Sequence, residues 1–327
     1  MQARYGRTSQ LSRRFSLRVK YVLKSANNKQ QAAQLHPLTC AKIRTNSLIR
    51  WTIRKTIKAL ILLVLLVAFG FFAHYQNNNL EVREIPIASG RVGSLSIVHL
   101  SDLHGKQFGE NNSVLLAQIE ALSPDLIVFT GDMIHRADRN YGETIAFMGA
   151  LTQLAPTVGV FGNHEARSGV RDDFKYRLVE EDVQVLDNEI AVFELAGGRV
   201  NVLGFDENIF ARRRPAFTEP LFEELEVATG LRIVLSHFPQ EYSLANDASF
   251  NRFDFDLMFA GHAHGGQWIL PEIGGLYAPE QGLFPTYYRG LYGERLIVSP
   301  GLGNSYFPLR LFNYPEVIVV NVNLLTD

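Results

Sequence analysis

Short runs of Val, Ile, Leu and Phe alternate with stretches of helical spacing through the second part of the chain. Apolar runs at 95–100, 126–130, 157–161, 200–204, 232–236, 257–260, 295–299 and 317–322 predict strands. Between them, 113–122, 144–154, 172–181 and 219–228 carry the period of amphipathic helices. Ser123-Pro124 supplies a stop for the first of these helices. The alternation predicts a layered α/β domain over residues 92–327 rather than a purely antiparallel sandwich. The aromatic, Pro- and Gly-rich stretch 271–314 reads as long loops and hairpins, and the polar stretch 76–91 reads as a linker.

One run breaks this rhythm. From Ala59 to Ala73 no residue is charged, which as a helix covers ~22 Å, short of a hydrocarbon core of ~30 Å. Trp51 and Tyr75 extend the run with rings that favour the membrane interface, and Lys55 and Lys58 have stems long enough to snorkel. The reading is one transmembrane anchor over 56–75. A buried core helix is the competing reading, and charge argues against it. Residues 1–80 hold 14 Lys and Arg and no acid; the first acid is Glu81. The other 18 bases and all 33 acids fall in 81–327, a balance of −15 hidden inside a whole-chain charge of −1. The positive-inside rule then places residues 1–55, a basic and mobile tail, in the cytoplasm. The domain falls outside a cell membrane crossed once. Ala68-Phe69-Gly70 has the small residues of a signal cleavage site, but a charged region of 58 residues before the apolar run is too long for one. Arg13-Arg14 matches a twin-arginine signal only in part. The lone Cys40 excludes an intramolecular disulfide framework and any cysteine zinc site.

Polar residues cluster directly after five of the expected strands. Asp102 and His104 follow the first and Asp132 the second; Asn163, His164 and Glu165 follow the third. His237 follows the strand at 232–236, and His262 and His264 follow that at 257–260. Ligands of open α/β sheets gather beyond the carboxyl ends of strands, so the five clusters can meet at one place. The donor set contains nitrogen and oxygen but no thiolate, which suits divalent Mn, Fe or Zn. Seven ligands exceed one tetrahedral ion and fit a two-metal hydrolytic centre.

Here the chain resembles the calcineurin-like metallophosphoesterases. The five blocks are Ser101-Asp102-Leu103-His104, Gly131-Asp132, Gly162-Asn163-His164-Glu165, Ser236-His237 and Gly261-His262-Ala263-His264-Gly265-Gly266-Gln267, in the family's order. The last block, with Ala278–Phe284 and Gly301–Ser305, is similar to the membrane-associated bacterial branch of that family. The resemblance implies a four-layered αββα sandwich behind the transmembrane helix. It implies that Asp102, His104, Asp132 and His264 hold one metal, and that Asp132, Asn163, His237 and His262 hold the second. His164 faces the substrate phosphate, with Glu165 orienting or polarising it. The implied reaction is hydrolysis of a phosphodiester or pyrophosphate by a hydroxide bridging the two ions, on a phosphate-ester substrate with lipid-linked esters and nucleotides among the candidates. The family block Gly-Asp-X-X-Asp departs here, because His135 replaces the second acid. That acid orients ligands, so its loss bears on metal affinity or preference rather than on the chemistry.

Blander readings hold elsewhere. His99, inside a strand, reads as structural, and His36 and His74 as surface or interface residues. Arg212-Arg213-Arg214 reads as a solvated run before a phosphate contact, and Phe284, Tyr287, Tyr288, Tyr306 and Phe307 as packing under loops before a lipid groove. Gly265-Gly266-Gln267 is balanced between an ordinary turn and a close backbone approach to metals or substrate. Nucleic acid is excluded as a partner, since the domain itself is acidic. Two other functions stand against the leading one. The first is a lipid-linked nucleotide pyrophosphatase of the UDP-2,3-diacylglucosamine type, which needs the site on the cytoplasmic face. The second is a non-catalytic metal-binding scaffold.

Overall fold

The computed structural model describes residues 29–206, 215–244, 249–304 and 307–324. The tail before Lys29, Arg212-Arg213-Arg214 and Tyr306 lie outside the described residues. Two compact units divide between Gly70 and Phe71. The first contains most of helix α1 (Lys29–Asn78). Within α1, Leu48–Asn78 is long and apolar enough to cross a membrane, with a mean hydropathy of 2.5 and none of its most apolar window buried. Leu62, Val64 and Leu65 stand exposed along it.

The second unit is built on two six-stranded sheets. In the first, the order is β1-β16-β2-β3-β4-β5. Strands β2 (Leu95–Leu100), β3 (Leu126–Thr130), β4 (Thr157–Val160) and β5 (Gln184–Val185) run parallel, while β16 (Glu316–Leu324) is antiparallel to β2 and carries β1 (Glu81–Ser89) at the edge. Four short strands pair off separately, β10 (Ile269–Leu270) with β11 (Gly274–Gly275) and β12 (Tyr277–Ala278) with β13 (Gly282–Leu283); in the second six-stranded sheet the order is β14-β15-β9-β8-β7-β6. There β7 (Gly198–Gly204), β8 (Leu231–Leu235), β9 (Leu257–Ala260) and β15 (Leu296–Val298) are parallel. Antiparallel β6 (Glu189–Leu195) and β14 (Gly290–Tyr292) form the edges.

The strands have apolar side chains on both faces because both faces are covered. Alternate residues sort between layers. Ile97, Val128 and Val160 of the first sheet meet Val202, Ile233 and Phe259 of the second in a shared core. Their neighbours Val98, Ile127 and Phe129 point the other way, against α2 (Ser113–Ala121), α3 (Gly142–Thr152) and α5 (Arg171–Glu180). On the far side Leu203, Val234 and Met258 pack against Phe222 and Leu225 of α6 (Pro215–Glu226). Helix, sheet, sheet and helix therefore stack in four layers, the predicted arrangement.

The stretch 76–91 is not a linker. Gln76, Asn77 and Asn78 complete α1, and residues 81–89 form β1 along β16. Pro86 masks this strand in the sequence, since it cannot donate to a ladder; an edge position tolerates it. Residues 71–78, the last turns of α1, belong to the second unit and are held there by side chains. Gln76 is buried; its Nε2 donates to the Tyr314 hydroxyl (2.9 Å) and its Oε1 accepts from the Phe312 N–H (2.7 Å). Asn77 Oδ1 accepts from the Arg310 N–H (3.1 Å) and from Asn304 Nδ2 (2.8 Å). These hydrogen bonds, from the buried Gln76 and the half-buried Asn77, hold residues 76–77 within the second unit.

Candidate metal centre

The parallel strands of both sheets deliver their carboxyl ends to one edge, and the five predicted clusters meet there. Asp102 and His104 follow β2, Asp132 follows β3, Asn163 opens the single turn α4 (Asn163–Ala166) after β4, His237 follows β8, and His262 and His264 follow β9. All are buried. Asp102, His104, Asp132, His262 and His264 have φ of 53°, 50°, 55°, 65° and 47°. Five left-handed residues in so small a region represent stored strain, of roughly 1 kcal/mol or more each, at turns where Asp, Asn and His are the least disfavoured side chains.

The ligand atoms form overlapping groups. Asp102, His104 and His264 make one, and Asp132, His237 and His262 another. His104 Nε2 faces His264 Nε2 at 3.2 Å, and His264 Nε2 lies 3.4 Å from Asp102 Oδ1. His237 Nδ1 donates to the Thr130 carbonyl (2.6 Å), which turns its Nε2 toward Asp132 Oδ2 at 3.3 Å and His262 Nδ1 at 3.1 Å. The same Asp132 oxygen lies 3.8 Å from His104 Nε2, so one carboxylate touches both groups. Burial holds His104 and His264 below the ordinary histidine pKa, with His104 lowered furthest. Burial disfavours the charged Asp132, but the His237, His104 and His164 rings outweigh it and hold the carboxyl well below its usual range. Cation binding needs neutral imidazoles and an ionised carboxylate, and the directions for His104, His264 and Asp132 run that way. Imidazole nitrogens facing each other across about 3 Å, and the buried Asn163 Oδ1 with no hydrogen-bond donor, fit the same purpose.

His164 sits beside these groups and forms a third cluster with His104 and Asp132. The Arg136 N–H donates to its Nδ1 (3.1 Å), so the neutral ring carries its proton on Nε2, 4.0 Å from Asp132 Oδ2. Burial also lowers the His164 pKa. Glu165 does a different job from the one expected of it. Its Oε2 accepts the N–H groups of Asp132 (2.8 Å) and Gly162 (2.9 Å), and its Oε1 accepts that of Ile134 (3.0 Å). Burial, and then the Asp132 charge, raise its pKa to about 7. Glu165 thus ties the β3 and β4 loops together, while the Arg136 N–H orients the His164 ring. Glu165→Gln turns an amide NH2 against one of those N–H groups, a donor-to-donor clash worth ~1–3 kcal/mol. Thermal unfolding should fall by several degrees, while the pH profile of turnover keeps its shape.

His135 ends up at the rim, its ring 4.7 Å from that of His164. His99 is buried and structural, its Nε2 against Thr130 Oγ1 at 2.8 Å, and burial lowers its pKa to about 3. Sequence reasoning did not single out Arg310 and Asn313. Arg310 is buried among Asn304 and the Pro300 and Gly303 carbonyls, and the Gly303 N–H returns to the Asp102 carbonyl (2.6 Å). Asn313 Nδ2 holds the His264 carbonyl (2.7 Å). No local motif marks either residue, because their partners lie in other loops.

Residues 95–266 match the calcineurin-like phosphoesterase family. The metallophosphoesterase YkoQ of Bacillus subtilis is 31% identical over 68% of this chain and 82% of its own. The phosphodiesterase YaeI of Escherichia coli is 29% identical over 69% and 81%. A transmembrane protein with a metallophosphoesterase domain from Danio rerio is 27% identical over 81% of this chain and 62% of its own. A buried cluster of Asp, Asn and His at the strand ends of an αββα sandwich defines a metal-dependent phosphoester hydrolase. The chain belongs to the calcineurin-like phosphoesterase family.

Proposed function

We propose that this protein is a membrane-anchored phosphoesterase that uses two divalent cations to cleave phosphodiester or pyrophosphate bonds. The observation carrying the reading is the shared Asp132 oxygen, within 4 Å of His237 Nε2 on one side and His104 Nε2 on the other. Asp102, His104, Asp132 and His264 would hold one cation, and Asp132, Asn163, His237 and His262 the other. When bound, the cations supply an activated water and neutralise charge on the phosphoryl oxygens. The chain's own residues do the rest. Asn163 would offer its amide N–H to the phosphoryl group, and Glu165 and Asn313 hold the loops that carry Asp132 and His264. His164 presents its Nε2–H to the departing ester oxygen, with Nδ1 kept as acceptor by Arg136.

The anchor reading rests on α1. Its candidate span of 31 residues exceeds the ~20 needed, and Lys55 lies over the Trp51 ring at 3.8 Å, an interfacial pairing of cation and ring. With 14 bases ahead of Glu81 and no acid, the amino terminus stays in the cytoplasm and the hydrolase crosses.

The test uses the purified full chain with Mn(II) and two aryl esters, p-nitrophenyl phosphate and bis(p-nitrophenyl) phosphate. Turnover favouring the diester is expected. His164→Ala should keep both metals and lower kcat by ~10²-fold or more. Absence of turnover on either ester sinks the proposal, and unchanged kcat in the variant removes His164 from its role.

A further inference from the structure

The metal ligand His264 also lines a cavity of about 370 Å³, shared with Gln267, Trp268, Leu276, Tyr277 and Phe307. The wall has little left to offer a polar ligand. Trp268 Nε1 donates to the Leu309 carbonyl (3.0 Å), and Gln267 Nε2 is divided between the carbonyls of Leu309 (2.9 Å) and Phe307 (3.1 Å). What remains facing the space is ring and aliphatic carbon. A rare-handed turn builds this lining. Gln267 has φ 62° and ψ −55°, and the Trp268 N–H bonds back to the Gly266 carbonyl at 2.7 Å. Gly265 and Gly266 serve packing here, since a Cβ on Gly265 would lie 2.1 Å from Asn313 Oδ1 and one on Gly266 2.4 Å from the Gly275 Cα.

We propose that this cavity receives the hydrocarbon chain of a lipid phosphoester, so that the substrate class of the metal centre is a membrane amphiphile. The inference rests on the phosphoesterase reading above and adds the second half of the substrate to it. Two observations select this occupant. The first is continuity: His264 belongs to both the metal groups and the cavity lining, so the apolar space adjoins the ligands that would hold a phosphate. The second is the segment 307–312, which joins the cavity to residues 72–77, the part of α1 that belongs to the same unit. Phe307 lines the space, and Leu309 caps Trp268 and Gln267. Arg310 and Phe312 are held by Asn77 and Gln76, and the Phe72 ring meets that of Phe312 at 6.2 Å. Rim residues Tyr277 and Phe307 are 51% and 48% exposed, and Leu283 and Phe284 nearby are more so. Exposed apolar residues beside a catalytic site suit a ligand drawn from a bilayer.

The experiment uses the full chain in lipid nanodiscs, free of detergent and loaded with Mn(II). It measures p-nitrophenyl methyl, butyl and octyl phosphates, and a hexadecyl ester incorporated in the same disc. The expected result is kcat/KM rising by up to about fourfold per methylene until the cavity fills, with turnover of the embedded ester. Leu276→Trp, which fills the space, and Tyr277→Glu, which charges the half-exposed rim, should each bring the octyl-to-methyl ratio toward one. A flat series in the unaltered protein, with the methyl ester still hydrolysed, overturns the proposal and leaves the phosphodiesterase reading intact. A rising series without hydrolysis of the embedded ester overturns the bilayer source. No turnover of any ester removes the phosphoesterase reading, and this one with it.

Discussion

Asp132→Asn lowers kcat by ~10³-fold or more, equivalent to about 4 kcal/mol of transition-state stabilisation, and strips bound metal from the protein. The reason lies in one oxygen. Asp132 Oδ2 is the atom nearest both imidazole groups, 3.3 Å from His237 and 3.8 Å from His104. An amide at this position carries no charge, and its nitrogen offers no lone pair to a cation. Folding is not the route of failure, because Oδ1 of the variant still accepts the His164 N–H, which stands at 2.7 Å in the parent. The metal-free variant should therefore unfold at or above the temperature of the metal-free parent, relieved of a buried charge. Elemental analysis alongside kcat checks the result. A variant that keeps two ions per chain and more than a tenth of the turnover would show that Asp132 is not shared.

The second large effect is expected at a residue with no chemistry of its own. A Cβ added at Gly261 would stand 1.9 Å from Ser101 Oγ and 2.4 Å from Asp102 Oδ2. Those two atoms are joined by a 2.6 Å hydrogen bond, and the His262 N–H reaches the same carboxylate oxygen at 3.0 Å. Gly261→Ala must push Ser101 and Asp102 aside. Overpacking of this kind costs ~1–3 kcal/mol of stability. Displacing the Asp102 carboxylate should lower metal affinity by ~10–100-fold. Gly142→Ala is the control, since its Cβ meets nothing nearer than Asn140 Oδ1 at 3.7 Å. Melting temperature and metal titration of the two variants separate the outcomes. Equal behaviour of both would mean that the strand-end loops yield at no cost.

Much of the site was legible because each candidate ligand sits two to four residues beyond a strand with an apolar signature. The strands at 95–100, 126–130 and 257–260 appear at the expected positions. Others moved by a residue or two: the run at 232–236 is Leu231–Leu235 in the fold. Of the strands that escaped, β1 and β6 did so for a shared reason. Edge strands face solvent on part of their surface, so β1 keeps Arg83, Glu84 and Pro86, and β6 begins and nearly ends on glutamates. The role of Glu165 was out of reach too, because its three backbone partners include two from the β3 loop, more than thirty positions away.

The amino-acid order alone determined the donor set, the layered α/β class and the division between a basic, acid-free start and an acidic domain. These follow from local chemistry: residue type, hydrophobic period and charge. Tertiary structure decided which Asp132 oxygen two groups share, which nitrogen of His164 keeps the proton, and that an apolar cavity adjoins His264. It also turned the stretch 76–91 from a spacer into the end of a helix and an edge strand, with Gln76 and Asn77 bonded to residues 304–314 of the same unit. The physical reason is distance along the chain. The contacts concerned join residues as far apart as Asp102 and His262, 160 positions, or Asn77 and Arg310, 233 positions. Only a folded pair of sheets brings such residues within hydrogen-bonding range.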